Sequence, residues 1–379
     1  MELPDVARVV VVGGYGAFGV RAVERLARYG DIEIVVAGRS AEKARAAAVQ
    51  FERMGLCRIS SAALDAARPD IESLKALGAS VVINASGPFQ AQDYSLARAA
   101  IATGMHYVDL ADARAFVTGI SSLDAAAREA GVLVTSGASS VPALAAAIID
   151  DRIGDFRRLD VIEHAITPAN GYDPGVATTA SILGGLGQPM QVLDNGKWTT
   201  VYGWLGLRRI AVPGLGHRFM ANCDVPDLDI FPRRYAGVRT VRFRAGLDVG
   251  IFQLGLWALA MAVRARMVRH PERLAGSLMW VKRRLRFLGG ENGGMIVRLE
   301  GESRSGGKLE RTISLIARKN QGPYVPVVAA VVVALKLLRG GISARGAMPC
   351  VGLMTTAEFE AEVADLDIEI KVWDQCPVV

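Results

Sequence analysis

A glycine-rich turn near the start of the chain constrains its fold more strongly than any other feature. The turn follows the unbroken apolar run Val9–Val12 and precedes a stretch of helical period, Val20–Tyr29. It consists of Gly14, Tyr15, Gly16, Ala17, Phe18 and Gly19. A G-x-G-x-x-G turn that joins a strand to a helix within about 30 residues is typical of dinucleotide-binding domains. We expect Gly14 to permit the tight turn, Gly16 to admit the pyrophosphate, and Gly19 to let the helix pack closely on the strand.

The end of the second predicted strand indicates which dinucleotide binds. An acidic residue there would hydrogen-bond the ribose 2′-hydroxyl of NAD, whereas a basic one accommodates the 2′-phosphate of NADP. The chain has Arg39 and Ser40 at this place and no acid. A guanidinium and a hydroxyl form a charge-assisted phosphate site, so NADP is favoured over NAD. The alternative is that Arg39 is solvated and that Ser40 only caps the predicted helix Ala41–Met54.

The first 150 residues alternate short Val/Ile-rich runs with Ala/Arg/Glu-rich segments of helical period. This alternation predicts an α/β fold of the Rossmann type, in which crossover helices join the strands of a doubly wound parallel sheet. Six strands are expected, at Val9–Val12, Ile32–Ala37, Cys57–Ala62, Ser80–Asn84, Tyr107–Leu110 and Val132–Ser136. Such a sheet binds its ligand outside the carboxyl ends of the strands.

The pattern changes after about residue 155. A strand is expected over Leu159–Ile166, and the Asn-Gly pair at 195–196 predicts a tight hairpin. Met295–Glu302 and Leu309–Arg318 form a second, longer predicted hairpin, so this part is expected to be an α+β domain of mainly antiparallel sheet. The apolar segment Val325–Leu338 is shorter than the roughly 20 residues of a membrane span and is predicted to be a buried helix.

Further segments of the chain carry a family pattern. They are Val81–Phe89, Gly104–Asp109, Gly137–Ala143 and Arg345–Cys350. Together with the glycine turn they resemble the saccharopine dehydrogenase-like family of NADP-binding oxidoreductases. The resemblance implies a dinucleotide-binding Rossmann domain at residues 1–150 and an inserted α+β substrate and dimerisation domain at residues 151–320. It also implies that residues 321–379 return to the Rossmann domain.

The same resemblance implies part of the active site. Along the nicotinamide ribose it places Ala85, Ser86 and Gly87. Many relatives have an acidic residue where this chain has Ser139, and relatives that act on amino acids hold substrate carboxylates with charged groups. The polar residues of the loop around Ser139 are only Ser136, Ser139 and Ser140, which argues against an amino-acid substrate. A branch that resembles trans-acting enoyl reductases acts on lipid-like chains, and the apolar second domain suits such a ligand.

Reduction of a carbonyl or imine also requires a proton donor close to the nicotinamide. The candidates are Asp109, Tyr172 and His164, each with a structural alternative as loop cap, ring cover or packed histidine. The chain has no hydrolase or ATPase motif. We therefore predict an NADP-dependent oxidoreductase that acts on a small or moderately apolar carbonyl, imine or enoyl substrate. The competing hypothesis is a non-catalytic NADP-binding sensor or membrane-peripheral scaffold.

The positive charge of the chain is concentrated in one segment. The net charge is +6, and Arg264–Arg286 alone has eight Lys or Arg residues against one acid, Glu272. No nucleic-acid-binding motif accompanies these cations, so no nucleic acid is expected as a partner. The flanking stretches Gly250–Val263 and Trp280–Phe287 could form core or a dimer interface, or could rest on an anionic bilayer.

Cysteine spacing and the N-terminal residues bear on the compartment. The four cysteines are far apart, which predicts neither a metal site nor a disulfide framework. The N terminus lacks the basic region and apolar stretch of a signal peptide. The expectation is a metal-free homodimer in the cytoplasm.

Overall fold

The computed structural model describes residues 7–53, 57–173 and 175–373. The chain divides into two compact units. Within the described residues, the first unit comprises 7–53, 57–144 and 323–354, and the second comprises 145–173, 175–322 and 355–373.

The strands are numbered in chain order. They are β1 (Ala7–Val12), β2 (Ile32–Gly38), β3 (Arg58–Ala63), β4 (Val81–Asn84), β5 (His106–Asp109), β6 (Leu133–Ser136), β7 (Phe156–Thr167), β8 (Pro189–Asp194), β9 (Lys197–Tyr202), β10 (Arg208–Val212), β11 (Gly216–Asn222), β12 (Thr240–Ala245), β13 (Gly293–Ser303), β14 (Lys308–Ala317), β15 (Gly346–Pro349) and β16 (Ile368–Trp373).

The α-helices are numbered in the same way. They are α1 (Gly19–Leu26), α2 (Ala41–Glu52), α3 (Ile71–Ala76), α4 (Ser95–Ala102), α5 (Arg114–Gly119), α6 (Asp124–Glu129), α7 (Ala145–Arg152), α8 (Gly175–Gly184), α9 (Asp227–Arg234), α10 (Gly250–Arg264), α11 (Ala275–Arg284), α12 (Val325–Leu338) and α13 (Thr356–Glu362). The predicted helix Ala41–Met54 corresponds to α2, and Met54 lies outside the described residues.

The first unit is built on a seven-stranded parallel sheet with the order β15-β6-β5-β4-β1-β2-β3. Strand β1 pairs with β2 on one side and with β4 on the other, so the strand order reverses there. This arrangement confirms the predicted doubly wound Rossmann sheet, whose ligands bind at the point of reversal. The seventh strand, β15, was not among the six expected strands, because four residues with a glycine and a proline carry no clear strand pattern.

Helix α12 confirms the prediction of a buried helix at Val325–Leu338. Eleven of its side chains are buried, and it packs on α1 and on strands β1, β4 and β5. Just before it, the Tyr324 hydroxyl donates to the Glu24 carboxylate at 2.8 Å and so joins the helix to α1. Among the described residues, no helix has both the length and the apolar character needed to cross a membrane.

The second unit is an α+β domain around a nine-stranded mixed sheet. Strands β10-β11-β12-β7-β13-β14-β16 form its main path, and the β8–β9 hairpin attaches to β12. Strands β12 and β7 run parallel, whereas the other described pairs are antiparallel, as predicted. The hairpin at Asn195 and Gly196 has the positive φ angles, 51° and 80°, that a two-residue turn of this kind requires.

The limits of the two units differ from the predicted domain boundaries. Helix α7 begins the second unit at residue 145, whereas the prediction placed the boundary at 150. The C-terminal segment 321–379 was expected to return as a whole to the Rossmann domain. Residues 323–354 do so, but β16 pairs with β14, which places the stretch from 355 in the second unit. Backbone pairing, rather than chain continuity, decides to which unit this segment belongs.

Candidate nucleotide and active site

The glycine turn lies at the point where the strand order of the first sheet reverses. Its leading residue is Gly13, which has a φ of +78° and whose N–H donates to the Ala37 carbonyl at 2.8 Å. The prediction gave the tight turn to Gly14, but Gly14 is not in the left-handed region. Gly13 can make the turn because glycine, which has no Cβ, adopts a positive φ that residues with a side chain rarely adopt.

The other glycines of the turn differ in what surrounds them. A Cβ on Gly14 would lie 2.9 Å from the Val11 carbonyl oxygen, and one on Gly19 would lie 2.0 Å from the Gly13 carbonyl oxygen. Gly19 therefore lets α1 pack against the turn, as expected. A Cβ on Gly16 would be 3.1 Å from the Gly13 carbonyl oxygen, with no other atom that close. The missing side chain of Gly16 is thus not needed for internal packing and leaves the backbone open to a ligand.

The side chain of Tyr15 connects the glycine turn to the end of β2. Its hydroxyl accepts a hydrogen bond from the Ser40 N–H at 3.0 Å, and a Cβ on Gly38 would be 2.5 Å from its ring. Ser40 also caps α2, because its Oγ accepts from the Lys43 N–H at 3.3 Å. Arg39 is exposed and makes no ion pair within the described ranges. The capping alternative for Ser40 is therefore realised, and the role of Arg39 as the cation for a 2′-phosphate stays a prediction.

The loop after β4 lies against the glycine turn, at the carboxyl ends of the strands where a crevice for the ligand is expected. The Asn84 side-chain oxygen accepts from both the Ser86 N–H, at 3.1 Å, and the Ser86 Oγ, at 2.6 Å. A Cβ on Gly13 would lie 2.9 Å from backbone atoms of Ala85 and Ser86. The loop Ala85–Gly87 is therefore held against the turn by Asn84, and Gly13 allows the two backbones to approach.

Asp109 ends β5 and is completely buried. One carboxylate oxygen, Oδ1, accepts three hydrogen bonds, from Ala111 N at 3.0 Å, Gly137 N at 2.8 Å and Ser136 Oγ at 2.9 Å. Burial raises the pKa of Asp109 to about 6, although these hydrogen bonds oppose the rise. The Asp109 side chain thus connects the C-terminal ends of β5 and β6. These contacts correspond to the loop-capping alternative.

The polar groups beside Asp109 extend this buried network under the crevice. Tyr107 lies two residues earlier on the same face of β5, and its hydroxyl accepts from the Asn84 side-chain amide at 3.1 Å. Burial raises the pKa of the Tyr107 hydroxyl well above its ordinary value. Asn84, Tyr107 and Asp109 therefore form a buried polar layer at the C-terminal ends of β4 and β5, beneath the loops that follow these strands.

The other two candidate proton donors belong to the second unit. His164 lies on β7 with a fully buried side chain, and its Nε2 is 3.0 Å from Asp227 Oδ1. The rings of Phe231 and Phe243 pack against it at 5.6 Å and 4.8 Å. This enclosure corresponds to the packed-histidine alternative and argues against His164 as a proton donor, because no substrate could reach it.

Tyr172 is half-buried in the loop before α8. The Lys282 ammonium lies 5.9 Å from the centre of the Tyr172 ring and donates to the Tyr172 carbonyl oxygen. Burial lowers the pKa of Lys282, and Asp173 opposes this shift. Lys282 is therefore a neighbour of Tyr172, whose two predicted roles, donor or cover, stay predictions.

Sequence reasoning missed Gly13, the Asn84 network and the pairing of Lys282 with Tyr172. The repeated glycine spacing of Gly13, Gly16 and Gly19 was a usable signal for the first. A polar residue at the end of an otherwise apolar strand was one for Asn84. Nothing in the sequence indicates the pairing of Lys282 with Tyr172, because these two residues are more than a hundred positions apart.

Across the described ranges no group of three or more His, Cys, Asp or Glu side chains could hold a metal ion.

Comparison with known proteins agrees with this geometry. Residues 9–135 match the model of the saccharopine dehydrogenase NADP binding domain. The apo structure of histidine-tagged saccharopine dehydrogenase (L-Glu forming) from Saccharomyces cerevisiae superposes with a TM-score of 0.69. That likeness covers 97% of this chain and 100% of the yeast chain at 14% sequence identity, and it shows a shared fold.

A curated relative is the lipid droplet localized protein of Caenorhabditis elegans. It is 30% identical over 189 residues, which cover 47% of this chain and 44% of the relative. The chain therefore aligns with less than half of that protein's length. The matched model, the strand order and the glycine turn show that residues 9–135 form an NADP-binding domain similar to that of saccharopine dehydrogenase.

Proposed function

We propose that the protein is an NADP-dependent oxidoreductase that transfers a hydride to or from a small or moderately apolar carbonyl, imine or enoyl compound. The observation that carries this proposal is the meeting of three segments at one crevice of the first sheet. These are the glycine turn at 13–19, the end of β2 with Arg39, and the loop 85–87 held by Asn84.

The residues of this crevice fit NADP. The N terminus of α1 and the turn before it form the kind of site that binds pyrophosphate. Arg39 supplies a cation for the 2′-phosphate, and Tyr15 holds the adjacent Ser40 in place. When bound, NADPH supplies the hydride, and the protein contributes its position and electrostatic surroundings. Asn84 orients the Ala85–Gly87 loop, on which the nicotinamide ribose is proposed to lie.

The proposed substrate class follows from the loop after β6 and from the curated relative. The loop contributes the buried hydroxyls of Ser136, Ser139 and Ser140 and no charged side chain. A carboxylate-bearing amino acid would lose its solvation there without gaining an ionic partner, which is unfavourable. The localisation in the relative's name, a lipid droplet, supports a lipid-like substrate. A homodimer and a cytoplasmic location stay predictions.

The first experiment measures cofactor binding by calorimetry. Gly16→Val should abolish NADPH binding without unfolding the protein, since the new side chain would occupy ligand space. Arg39→Ala should weaken NADPH binding about 10- to 100-fold, the loss of a charged hydrogen bond, and leave NADH binding unchanged. Gly154→Val, at a glycine where an added Cβ would meet no atom within 4 Å, and Arg53→Ala at the end of α2 are the matched controls. Equal losses for both cofactors in Arg39→Ala would contradict the NADP assignment.

The second experiment identifies the reaction from the loss of NADPH absorbance. The panel contains long-chain ketones, aldehydes and α,β-unsaturated thioesters in one arm and 2-oxo acids with amino acids in the other. We expect turnover in the first arm. Turnover only in the second would overturn the substrate class, and tight NADPH binding without turnover in either would favour a non-catalytic sensor. Tyr172→Phe then tests the remaining donor candidate, because a donor role predicts a loss of turnover with NADPH binding intact.

A further inference from the structure

The exposed hydrophobic side chains of this protein are concentrated in one part of the second unit. Of the 16 large hydrophobic residues that are exposed in the described chain, 10 lie between residues 251 and 288. The most exposed are Met267 at 79%, Phe287 at 77%, Ile251 at 69% and Trp280 at 61%. Scattered single residues of this kind are normal, but such a concentration marks an interaction surface.

Helix α10 contributes an apolar outer face. Ile251, Leu254 and Met261 are exposed and recur at the spacing of one helical face, with the exposed Ala258 between them. The opposite face packs through Ala260 on a cluster that includes Leu183, Leu186 and Trp204. The helix has no charged residue before Arg264. Both faces are therefore apolar, and the packing of the second unit covers only one of them.

The segment from α10 through α11 adds a second apolar strip and a set of cations. Leu274, just before α11, and Leu278 and Val281 within it are exposed along one side, while Ala275 and Met279 are buried on the other. Ala275 belongs to the same cluster as Ala260, so both helices pack on a common core. Beside the strip, the Arg284 guanidinium lies 5.4 Å from the centre of the Trp280 ring. We call residues 251–288 the basic apolar face.

The cations of this face are largely uncompensated. Arg266, Arg269, Arg284 and Arg286 are exposed, and none makes an ion pair with a residue in the described part of the chain. Arg283 differs, since it pairs with Asp173 at 2.7 Å. Exposed aliphatic and aromatic side chains interspersed with free arginines are the combination that binds the headgroup region of an anionic lipid surface.

A second copy of the chain is a poorer occupant for this face. A two-fold interface places the same patch on both subunits, so the uncompensated arginines of one copy would oppose those of the other. Like charges brought together across an interface are unfavourable. An anionic phospholipid surface offers an apolar layer for the exposed hydrophobic side chains and negative charge for the arginines.

We propose that the basic apolar face docks the protein on anionic phospholipid surfaces. Trp280, Phe287, Met267 and the outer face of α10 enter the headgroup region, and Arg266, Arg269, Arg284 and Arg286 contact the lipid phosphates. The docked protein stays peripheral, because its apolar helices are too short to cross the bilayer.

The test is cosedimentation of the full chain with vesicles of phosphatidylcholine alone or mixed equally with phosphatidylglycerol. We expect binding to the mixed vesicles at low salt, a strong decrease at high salt and little binding to phosphatidylcholine alone. Arg284→Glu with Arg286→Glu should weaken binding at least about 30-fold, and Met267→Ser with Phe287→Ser at least about 10-fold. NADPH binding and the free energy of unfolding should be unchanged in both double variants, which shows that both units are folded.

The matched control is Arg53→Glu with Arg68→Glu, which changes the net charge equally at exposed arginines of the first unit. This variant should bind the mixed vesicles within about threefold of the native protein. Absence of vesicle binding at low salt would overturn the proposal, as would equal losses in the control. Light scattering provides the remaining check. If Met267→Ser with Phe287→Ser converts a dimer to a monomer and leaves vesicle binding intact, the face is a subunit interface instead.

Discussion

Two apolar helices of nearly equal length occupy very different environments in this protein. Helix α12 has 14 residues and one charge, Lys336, whereas α10 has 15 residues and one charge, Arg264. Eleven residues of α12 are buried, but in α10 only Gln253 and Ala260 are. The first helix lies on three strands of the Rossmann sheet, and the second has one face on a small cluster.

The comparison shows that apolar composition does not define how deeply a helix is buried. Both segments satisfy the same sequence criteria, and both are too short to span a bilayer. Their difference comes from the area of protein surface that is available to cover them. Each apolar face left in water forgoes about 25 cal/mol per Å², so an uncovered face such as that of α10 favours a partner.

The largest expected effect is for Val331→Asp in α12. Val331 is fully buried, and an unpaired carboxylate there should destabilise the protein by at least about 4 kcal/mol and leave little folded material. Val331→Ala, which should cost about 2 kcal/mol, keeps a measurable transition in chemical denaturation. Wild-type stability in the aspartate variant would show that α12 is not the packed helix described.

A smaller effect, dependent on pH, is expected at Asp109, which lies on β5, one of the strands that α12 covers. Burial raises the pKa of this carboxyl from 3.8 to about 6, so the folded state retains a proton that the unfolded chain releases. This contribution to stability is complete below about pH 4 and is lost as the pH rises through about 6, a change of up to about 3 kcal/mol.

Asp109→Asn tests this sign directly. Because all three hydrogen bonds go to Oδ1, an asparagine can accept them and remain neutral at every pH. Denaturation between pH 4 and pH 7 should show that the free energy of unfolding falls less steeply in the variant than in the native protein. Parallel curves would mean that Asp109 does not titrate in this range.

A change of about 1 kcal/mol is expected for Tyr324→Phe, which removes the hydrogen bond to Glu24 that joins α12 to α1. The matched substitution for α10 is Tyr202→Phe, which removes the hydrogen bond from Arg264 at 3.0 Å. That bond is exposed to solvent, so its loss should cost no more than about 0.5 kcal/mol. Chemical denaturation of both variants compares the two helices, and equal losses would contradict the difference in burial.

The smallest expected effect on stability is for Ile251→Ser on the outer face of α10. Ile251 is 69% exposed, so the free energy of unfolding should stay within about 0.5 kcal/mol of the native value. A loss of 2 kcal/mol or more, measured by the same denaturation, would show that this face is covered by protein in solution.

Much of the first unit could be predicted because its signals are local. The apolar run before Gly14, the spacing of the glycines and the basic end of β2 all lie within about 30 residues, and each reports a geometric requirement of nucleotide binding. The prediction missed Gly13 because two glycine spacings overlap in this segment, G-x-G-x-x-G at Gly14, Gly16 and Gly19 and G-x-x-G-x-x-G at Gly13, Gly16 and Gly19. Only backbone angles distinguish them.

The remaining features of the candidate site depend on contacts between distant positions. Asn84 is recognisable as a polar residue at a strand end, but its partners in the loop and on β5 follow from strand order. His164 was as good a donor candidate as Tyr172 until the fold enclosed it beside Asp227. Strand β16 belongs to the second sheet because it pairs with β14, and no local sequence pattern predicts this pairing.

The sequence by itself determined the dinucleotide site, the preference for NADP and the alternation of strands and helices, since these arise from interactions between near neighbours in the chain. Tertiary structure alone decided that the Asp109 carboxyl is buried, that β16 pairs with the second sheet, and that one face of helix α10 stays exposed. Burial is a property of the surfaces that meet in three dimensions, so Val325–Leu338 and Gly250–Arg264 became distinguishable only once their neighbours were in place.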